Sequence, residues 1–252
     1  MSQKNLNKEL DLLFRSLKVK KGDKVIIHSN IAGIFQFYKK NKKDTCDVFI
    51  SYLKKYIGKK GVVVIPAYNY KFTKMKDFNV RTSASEVGFF SNYLLKKHWR
   101  KRTLDPIFSH IIFGKINNFD HKKINYEAFG VNSIFSILKE NNFKIICFCC
   151  PTNTMTFLHY LEYLFDVPYR YIKNFKGMLI NQKFKTEINY KYNVGKKSSN
   201  YSIQEHKTNK LINQKDFIKS YFGRFECYSV NCNYLYYILM KKMKINKKFL
   251  II

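Results

Sequence analysis

The sequence predicts an α/β fold, a layered sandwich in which helices flank a central, largely buried sheet of mixed or parallel strands. Three short, continuously apolar segments support this prediction, at 24–27, 61–65 and 144–150. Apolar runs of this length without polar alternation are typical of strands that are buried on both faces. They alternate along the chain with segments of helical periodicity, as a layered α/β domain requires.

The first elements follow in the order helix, strand, helix, strand. Leucines recur at helical spacing over 6–17, and a Lys-Gly-Asp turn then leads into the strand at 24–27. Apolar and aromatic residues in helical register predict a second helix over 44–57. The strand at 61–65 (GVVVI) follows, and the proline directly after it ends the strand.

The next elements repeat this alternation. Ser85 is a suitable N-cap for a third helix from about Glu86 to Trp99. A polar turn leads into a strand at 109–113, and Ser133 is predicted to cap a fourth helix that ends near Lys139. The apolar run at 144–150 is then the last strand of this part of the chain.

The C-terminal third is less regular. Residues 183–192 alternate like a strand or hairpin, 195–209 are polar and predicted to be a loop, and 216–252 return to apolar periodicity that packs back on the sheet. We find no repeat and no linker composition. The prediction is therefore a single domain over 1–252, with a hairpin or loop excursion at 178–215.

One helical segment, 152–170 (TNTMTFLHYLEYLFDVPYR), contains an ionisable pair on an apolar face. His159 and Glu162 are three residues apart, so they share a helical face with three apolar side chains, Met155, Leu158 and Phe165. An unpaired carboxylate there would be costly. The pair is either a hydrogen-bonded core histidine with its glutamate, or a general base with its orienting partner.

The position of this segment favours a ligand site. Pro151 ends the strand, and Thr152, Asn153 and Thr154 offer N-cap side chains to the helix. Open α/β sheets bind ligands beyond the carboxyl ends of their strands, where helix N-termini also present free N–H groups. The sequence therefore predicts a binding site that includes this turn.

Cysteine usage and hydropathy indicate a cytoplasmic protein. The six cysteines lack paired zinc-ligand spacing, so we predict no metal and read them as buried thiols in a reducing compartment. A Cys150 nucleophile activated by His159 is the minor alternative. No apolar run is long enough to span a membrane, and the first residues lack the pattern of a signal peptide.

The net charge of +30 raises the alternative of a basic nucleic-acid-binding protein without catalysis. The lysines, however, are spread along the whole chain and arginines are few, so we predict no specific nucleic-acid partner. The charge still implies a surface that attracts anions and repels polycations.

Six sequence blocks, taken in order, resemble the aminoglycoside N3-acetyltransferase-like family of coenzyme A-dependent N-acyltransferases. The blocks are GDKVIIHSN at 22–30, GVVVIPAY at 61–68, SASEVGFFSNYLLKK at 83–97, RTLDPIFSHIIFG at 102–114, EAFGVNSIFSIL at 127–138 and the His–Glu segment at 152–170. The resemblance implies acyl transfer from a coenzyme A thioester to the primary amine of an amino sugar. It also implies that His159 deprotonates the amine and that Glu162 orients the imidazole.

The resemblance, with the predicted turns, supplies the remaining candidate residues. Those expected to contact the acyl-coenzyme A co-substrate are His28, Ser29, Asn30, Tyr68, Ser109, Asn153 and Thr154. Those expected to contact the amino sugar are Asp105, Tyr169 and Arg170. Each has a structural alternative: an Asp before proline is common in turns, tyrosines pack, serines begin strands, and Arg170 could hold Glu162 or Asp166 instead of a phosphate.

The chain departs from the resistance enzymes at one block. They commonly read HPTHS where this chain has DPIFS at 105–109, so both histidines are missing. This form resembles relatives that acylate amino sugars for surface polysaccharides, and a basic surface suits a nucleotide-linked amino sugar. We therefore expect that acceptor, with aminoglycoside 3-N-acetylation and a member that binds coenzyme A without turnover as alternatives. A homo-oligomer is compatible with the sequence, which does not fix the oligomeric state.

Overall fold

A six-stranded mixed sheet with helices on both faces forms the core of the molecule. The computed structural model describes residues 3–38, 40–198 and 201–252. The helices are α1 (Gln3–Ser16), α2 (Lys42–Ile57), α3 (Phe89–His98), α4 (Ile134–Glu140), α5 (Phe157–Leu164), α6 (Glu205–Asn209) and α7 (Cys232–Ile245). The strands are β1 (Lys24–Ser29), β2 (Val62–Pro66), β3 (Phe78–Asn79), β4 (His110–Phe113), β5 (Lys144–Phe148), β6 (Arg170–Ile180), β7 (Lys185–Gly195), β8 (Phe217–Phe222) and β9 (Phe225–Asn231).

The strand order of the main sheet is β4-β2-β1-β5-β9-β8. β1 pairs in parallel with β2 and β5, and the outer strands β4, β9 and β8 run antiparallel to their neighbours. The three apolar runs that predicted the fold are thus the three adjacent parallel strands. The predicted α/β class with a buried mixed sheet is confirmed.

Residues of β1 alternate between two hydrophobic cores, as the pleat of a strand requires. Val25 and Ile27 pack in the core beneath α1, α2 and α3. Ile26 packs in the core on the opposite face, beneath α4, α5 and α7. Because both faces are covered, the sequence of this strand reads as a continuous apolar run rather than as an alternation.

A second sheet consists of β3, β6 and β7. β6 and β7 form a long antiparallel hairpin, with Arg170 opposite Gly195 and Ile180 opposite Lys185. The predicted excursion at 178–215 included β7 but missed most of β6. That strand places four lysine, asparagine or tyrosine side chains on exposed positions, so its sequence lacks the apolar content of a buried strand.

Several predicted boundaries were wrong. The third helix begins at Phe89, because Gly88 has a φ of +108° and Ser85 instead accepts a hydrogen bond from the Val87 N–H. The strand predicted to reach Cys150 ends at Phe148, since Cys149 has a φ of +54°. The polar stretch predicted as a loop contains the short helix α6.

The His–Glu segment is also more divided than predicted. Residues Thr152–Thr154 form a 3₁₀ turn, α5 begins only at Phe157, and the chain is already in β6 at Arg170. None of the three predicted cap residues is the N-cap of α5, a position that Thr156 occupies without a side-chain cap bond. No helix among the described residues is long and apolar enough to cross a membrane.

Candidate active site

The two ionisable residues of α5 form a hydrogen-bonded pair at the edge of the protein interior. His159 Nδ1 lies 2.6 Å from Glu162 Oε2. The imidazole is 28% exposed, whereas the carboxylate is fully buried. One turn of helix thus places a buried acceptor behind a ring that reaches a cavity.

Two further side chains hold the Glu162 carboxylate. The Tyr169 hydroxyl donates to Oε1 at 2.9 Å. Arg170 Nε lies 2.7 Å from Oε2, an ion pair whose N–H is not aimed at the oxygen. Tyr169 is the last residue of the turn between α5 and β6 and Arg170 is the first residue of β6, so the chain folds back onto its own helix. A buried carboxylate with these partners stays in one orientation.

The two contacts at His159 Nδ1 call for opposite tautomers, and their lengths favour one of them. Nδ1 is 2.6 Å from a carboxylate oxygen and 3.0 Å from Arg170 Nη2, and it cannot donate to the guanidinium. The shorter contact, to an acceptor, is best satisfied by an N–H on Nδ1. Nε2 then carries the lone pair, which is the atom a general base needs on the side away from its orienting carboxylate.

His159 lines a cavity of about 630 Å³. Its wall includes the Arg170 guanidinium, the 3₁₀ turn at Asn153, and the hairpin and following residues of the second sheet. This volume suits a ligand of sugar or oligosaccharide size.

A smaller cavity of about 220 Å³ lies at the carboxyl ends of β1, β2 and β5. It is lined by Ser29, Tyr68 and Thr154 among others, and Tyr70 lines both this cavity and the larger one. The predicted ligand position for an open α/β sheet is therefore a cavity in this structure, and it adjoins the cavity of His159.

Four of the seven residues predicted to contact the co-substrate line the smaller cavity, and one lines the larger. The four are His28, Ser29, Tyr68 and Thr154, and the fifth is Asn153. Of these, Tyr68 is only 1% exposed, and its hydroxyl lies 3.2 Å from His110 Nε2, so it forms part of the wall.

The other two residues predicted to contact the co-substrate have structural partners. The Asn30 side chain accepts a hydrogen bond from the Ala32 N–H and caps a 3₁₀ turn. Ser109 is fully buried; its hydroxyl donates to the Ala67 carbonyl and accepts from Arg102 Nε. Neither residue lines the larger or the smaller cavity.

Of the three residues predicted to contact the amino sugar, only Arg170 lines the larger cavity. Tyr169 faces Glu162 instead, as described above. Asp105 is buried and accepts from the N–H groups of Ile107 and Phe108, from the Tyr190 hydroxyl and from Asn125 Nδ2. Burial raises the pKa of Asp105 to about 6. With four donors around it, Asp105 supports its own turn.

Two buried histidines lie near the smaller cavity. Burial lowers the pKa of His28 to about 4, and it lowers the pKa of His110 to about 3. Both imidazoles are therefore neutral at physiological pH. His28 Nε2 and His110 Nδ1 have no hydrogen-bond partner in the described part of the chain.

Cys150 lines the smaller cavity, whereas His159 lines the larger one. The Cys150 sulfur accepts a hydrogen bond from Thr154 Oγ1 at 3.5 Å, and a hydrogen bond with Cys147 lowers the pKa of the Cys150 thiol. No Cys150–His159 hydrogen bond is present in the described ranges. The geometry therefore gives the alternative of a Cys–His nucleophile no support.

Several residues that shape the larger cavity were not predicted from the sequence. They are Tyr70, which borders both cavities, and the hairpin side chains Lys173, Phe175 and Tyr192 with the following Lys197 and Tyr201. The alternation at 183–192 was a usable signal for the strand, but nothing in the local pattern indicates that the hairpin folds over α5.

Comparison with known proteins identifies the family of this chain. A family model described as aminoglycoside 3-N-acetyltransferase matches residues 26–244. A search of curated proteins found no match. Because the family model covers most of the sequence, the chain belongs to the aminoglycoside 3-N-acetyltransferase family. The predictions of family and of an N-acyltransferase are confirmed.

Solved structures share the whole fold at low identity. AAC-IIIb with CoASH is 15% identical, with a TM-score of 0.75 over 96% of this chain and 97% of the other. The YokD protein from Bacillus subtilis is 16% identical, with a TM-score of 0.76 over 98% and 94%. AAC-VIa bound to sisomicin is 12% identical, with a TM-score of 0.76 over 97% and 98%. The coenzyme in the first structure is consistent with the predicted acyl-coenzyme A co-substrate.

Proposed function

We propose that this protein transfers an acetyl or other short acyl group from acyl-coenzyme A to the primary amine of an amino sugar, with His159 as general base and Glu162 as its orienting partner. The observation that carries the proposal is the 2.6 Å contact between a fully buried carboxylate and an imidazole that is open to a cavity of about 630 Å³.

The dyad supplies the proton transfer that the reaction needs. A primary amine is largely protonated at neutral pH and cannot attack a thioester until it loses a proton. His159 Nε2, with its lone pair toward the cavity, accepts that proton, a contribution of about 10²–10⁴-fold in rate. Glu162 accepts the Nδ1–H bond and stabilises the imidazolium that forms.

The smaller cavity suits the pantetheine arm of the co-substrate. None of its described lining residues is a lysine, arginine, aspartate or glutamate, and the low pKa of His28 keeps that imidazole neutral. Ser29 lines this cavity, and its hydroxyl has no hydrogen bond to another described residue, so it can donate to the thioester oxygen as negative charge develops there. Tyr70 borders both cavities, so in this proposal the donor and the acceptor occupy neighbouring cavities, with the acceptor in the one that His159 lines.

The acceptor is an amino sugar in this proposal, and two kinds are candidates. The family description and the sisomicin complex of AAC-VIa favour aminoglycosides over the nucleotide-linked sugar that the sequence led us to expect. We also propose a cytoplasmic reaction, since acyl-coenzyme A is made there and all six cysteines are free thiols.

A thiol-release assay tests the proposal. Purified protein is mixed with acetyl-coenzyme A and, separately, with glucosamine, glucosamine 6-phosphate, a uridine diphosphate-linked amino sugar and kanamycin. We expect acceptor-dependent release of coenzyme A and an N-acetylated product by mass spectrometry. Release that is equal with and without every acceptor would reject the proposal. It would then favour a protein that binds coenzyme A, or an anion such as nucleic acid, without chemistry.

A further inference from the structure

The side chains around the larger cavity are unevenly charged. Arg170, Lys173 and Lys197 line it, and none of its lining residues is an aspartate or glutamate in the described part of the chain. The carboxylate beneath the floor, Glu162, is buried and already held by three partners. The space in front of the general base is therefore electropositive.

The two lysines are available to a ligand, whereas the arginine is not. Arg170 is paired with Glu162. Lys173 lies on β6 and Lys197 just after β7; both are exposed, and neither forms an ion pair with another described residue. The chain has a net charge of +30, and no lining residue of this cavity in the described part of the chain is acidic.

Aromatic side chains provide the rest of the wall. Tyr70, Phe175, Tyr192 and Tyr201 line the cavity. The flat faces of these aromatic rings can pack against the ring of a sugar or a nucleobase. The neighbouring lysines can bind an anionic group on the same molecule.

We propose that the acceptor amine belongs to a molecule that also carries an anionic group, of phosphate or carboxylate type, and that Lys173 and Lys197 bind this group. The inference rests on the proposed function and narrows its substrate class. A polycationic acceptor such as an aminoglycoside meets like charge in this cavity. Like charges in contact weaken binding, whereas opposite charges increase the rate of association.

The phosphates of coenzyme A are the other anion that these lysines could bind. A donor without phosphate separates the two sources, so the test uses S-acetylpantetheine in place of acetyl-coenzyme A. With that donor, any remaining effect of the lysines on KM belongs to the acceptor.

The test compares Lys173→Glu and Lys197→Glu with Lys176→Glu. Lys176 is an exposed lysine on the same strand, three residues from Lys173 and therefore on the other face, so its reversal changes net charge equally outside the cavity. For glucosamine 6-phosphate and the uridine diphosphate-linked sugar, we expect KM to rise roughly tenfold or more in the two cavity variants and to stay near wild type in Lys176→Glu. For glucosamine, which carries no anionic group, the cavity variants should not raise KM.

Three results would overturn the inference. Kanamycin turned over more efficiently than every anionic acceptor is the first, and unchanged acceptor KM in both cavity variants is the second. In the third, the lysine effect appears with acetyl-coenzyme A and vanishes with S-acetylpantetheine, which would assign the lysines to the coenzyme. If no acceptor is acetylated at all, the proposed function fails. Titration calorimetry then compares the affinities for glucosamine 6-phosphate and kanamycin. Tighter binding of kanamycin rejects the inference that the cavity binds an anionic acceptor.

Discussion

Glu162 is the residue on which the geometry of the site depends. It is fully buried, and an imidazole, a phenol and a guanidinium surround its two oxygens. An ionised carboxylate in such surroundings is stable only while these partners remain. Substitutions around it should therefore affect both folding and catalysis.

Tyr169→Phe removes one hydrogen bond to Glu162 without changing the volume of the side chain. We expect a loss of about 1.5–3 kcal/mol in the free energy of unfolding, since a bond to a charged group is broken, and a several-fold lower kcat. Urea denaturation and the thiol-release rate measure the two effects. Tyr163→Phe is the matched control, because it removes a phenol that bonds Glu127 instead. Equal kcat for both variants would show that Tyr169 does not support the dyad.

Glu162→Gln removes the charge and keeps the shape. The variant leaves the buried Arg170 guanidinium without its carboxylate, so we expect a loss of about 3–5 kcal/mol in unfolding free energy. The surviving folded fraction should show a lower kcat with little change in the KM of acyl-coenzyme A, because Glu162 does not line the smaller cavity, where we propose that the co-substrate binds. A raised KM with normal kcat would assign Glu162 to binding rather than to orientation of His159.

Much of this residue-scale geometry was predictable, and part was not. The three-residue spacing of His159 and Glu162 predicted their contact, because residues three apart are neighbours on the surface of a helix. The roles of Tyr169 and Arg170 were not readable, since they depend on a tight reversal between α5 and β6. Asp105 was expected at the substrate, yet two N–H groups of its own turn and two side chains from elsewhere in the chain, Asn125 and Tyr190, donate to it.

At the scale of elements, the buried Arg102 connects three segments of the chain, one of which forms part of the wall of the smaller cavity. The Arg102 guanidinium donates to the Ala67 carbonyl, to Ser109 Oγ and to two carbonyls of the segment after β3. It is 1% exposed. Its planar fork is suited to bonds in several directions at once, which a lysine cannot reproduce.

Arg102→Met tests whether these hydrogen bonds stabilise the fold. The substitution leaves several buried hydrogen-bond acceptors without their donor, so we expect a loss of about 2–4 kcal/mol in unfolding free energy. The KM of acyl-coenzyme A should also rise, because the Pro66–Tyr68 wall of the smaller cavity loses its support. Arg100→Met is the control, since Arg100 is exposed and stacks on Trp99. Equal stability of the two variants would contradict the role of Arg102.

The elements that sequence reasoning found are the ones with strong local patterns. The three adjacent parallel strands were read directly from their apolar runs, because burial on both faces leaves little choice of residue. The β6–β7 hairpin was only half found, because one face is solvated and its register depends on pairing between strands. Many of the residues that line the larger cavity lie on that hairpin or just after it, so this cavity was the least predictable part of the site.

At the scale of the whole molecule, buried ionisable groups determine how stability depends on pH. The pKa values of His28 and His110 are lowered to about 4 and about 3, so the unfolded chain binds protons that the folded chain does not. Their contribution to stability is present above pH about 6.5 and is lost as pH falls below it. Asp105, with its pKa raised to about 6, acts in the opposite direction between pH about 4 and 6.

We therefore predict that the melting temperature falls as the pH is lowered from 7 to 5, in a single transition if the chain is one domain. His28→Gln should flatten this dependence, since it removes one of the two groups that must be neutral in the fold. Calorimetric scans at several pH values measure both slopes. Parallel curves for wild type and variant would show that His28 is not buried in its neutral form.

The central claim is that His159 removes the proton from the attacking amine, and the thiol-release rate of His159→Asn tests it most directly. Asparagine can still bond Glu162 but has no basic nitrogen, so the variant should melt near wild type and bind acyl-coenzyme A normally. We predict that its kcat for the best acceptor falls by about 10²–10⁴-fold. A folded variant that retains more than a tenth of the wild-type rate would contradict the account.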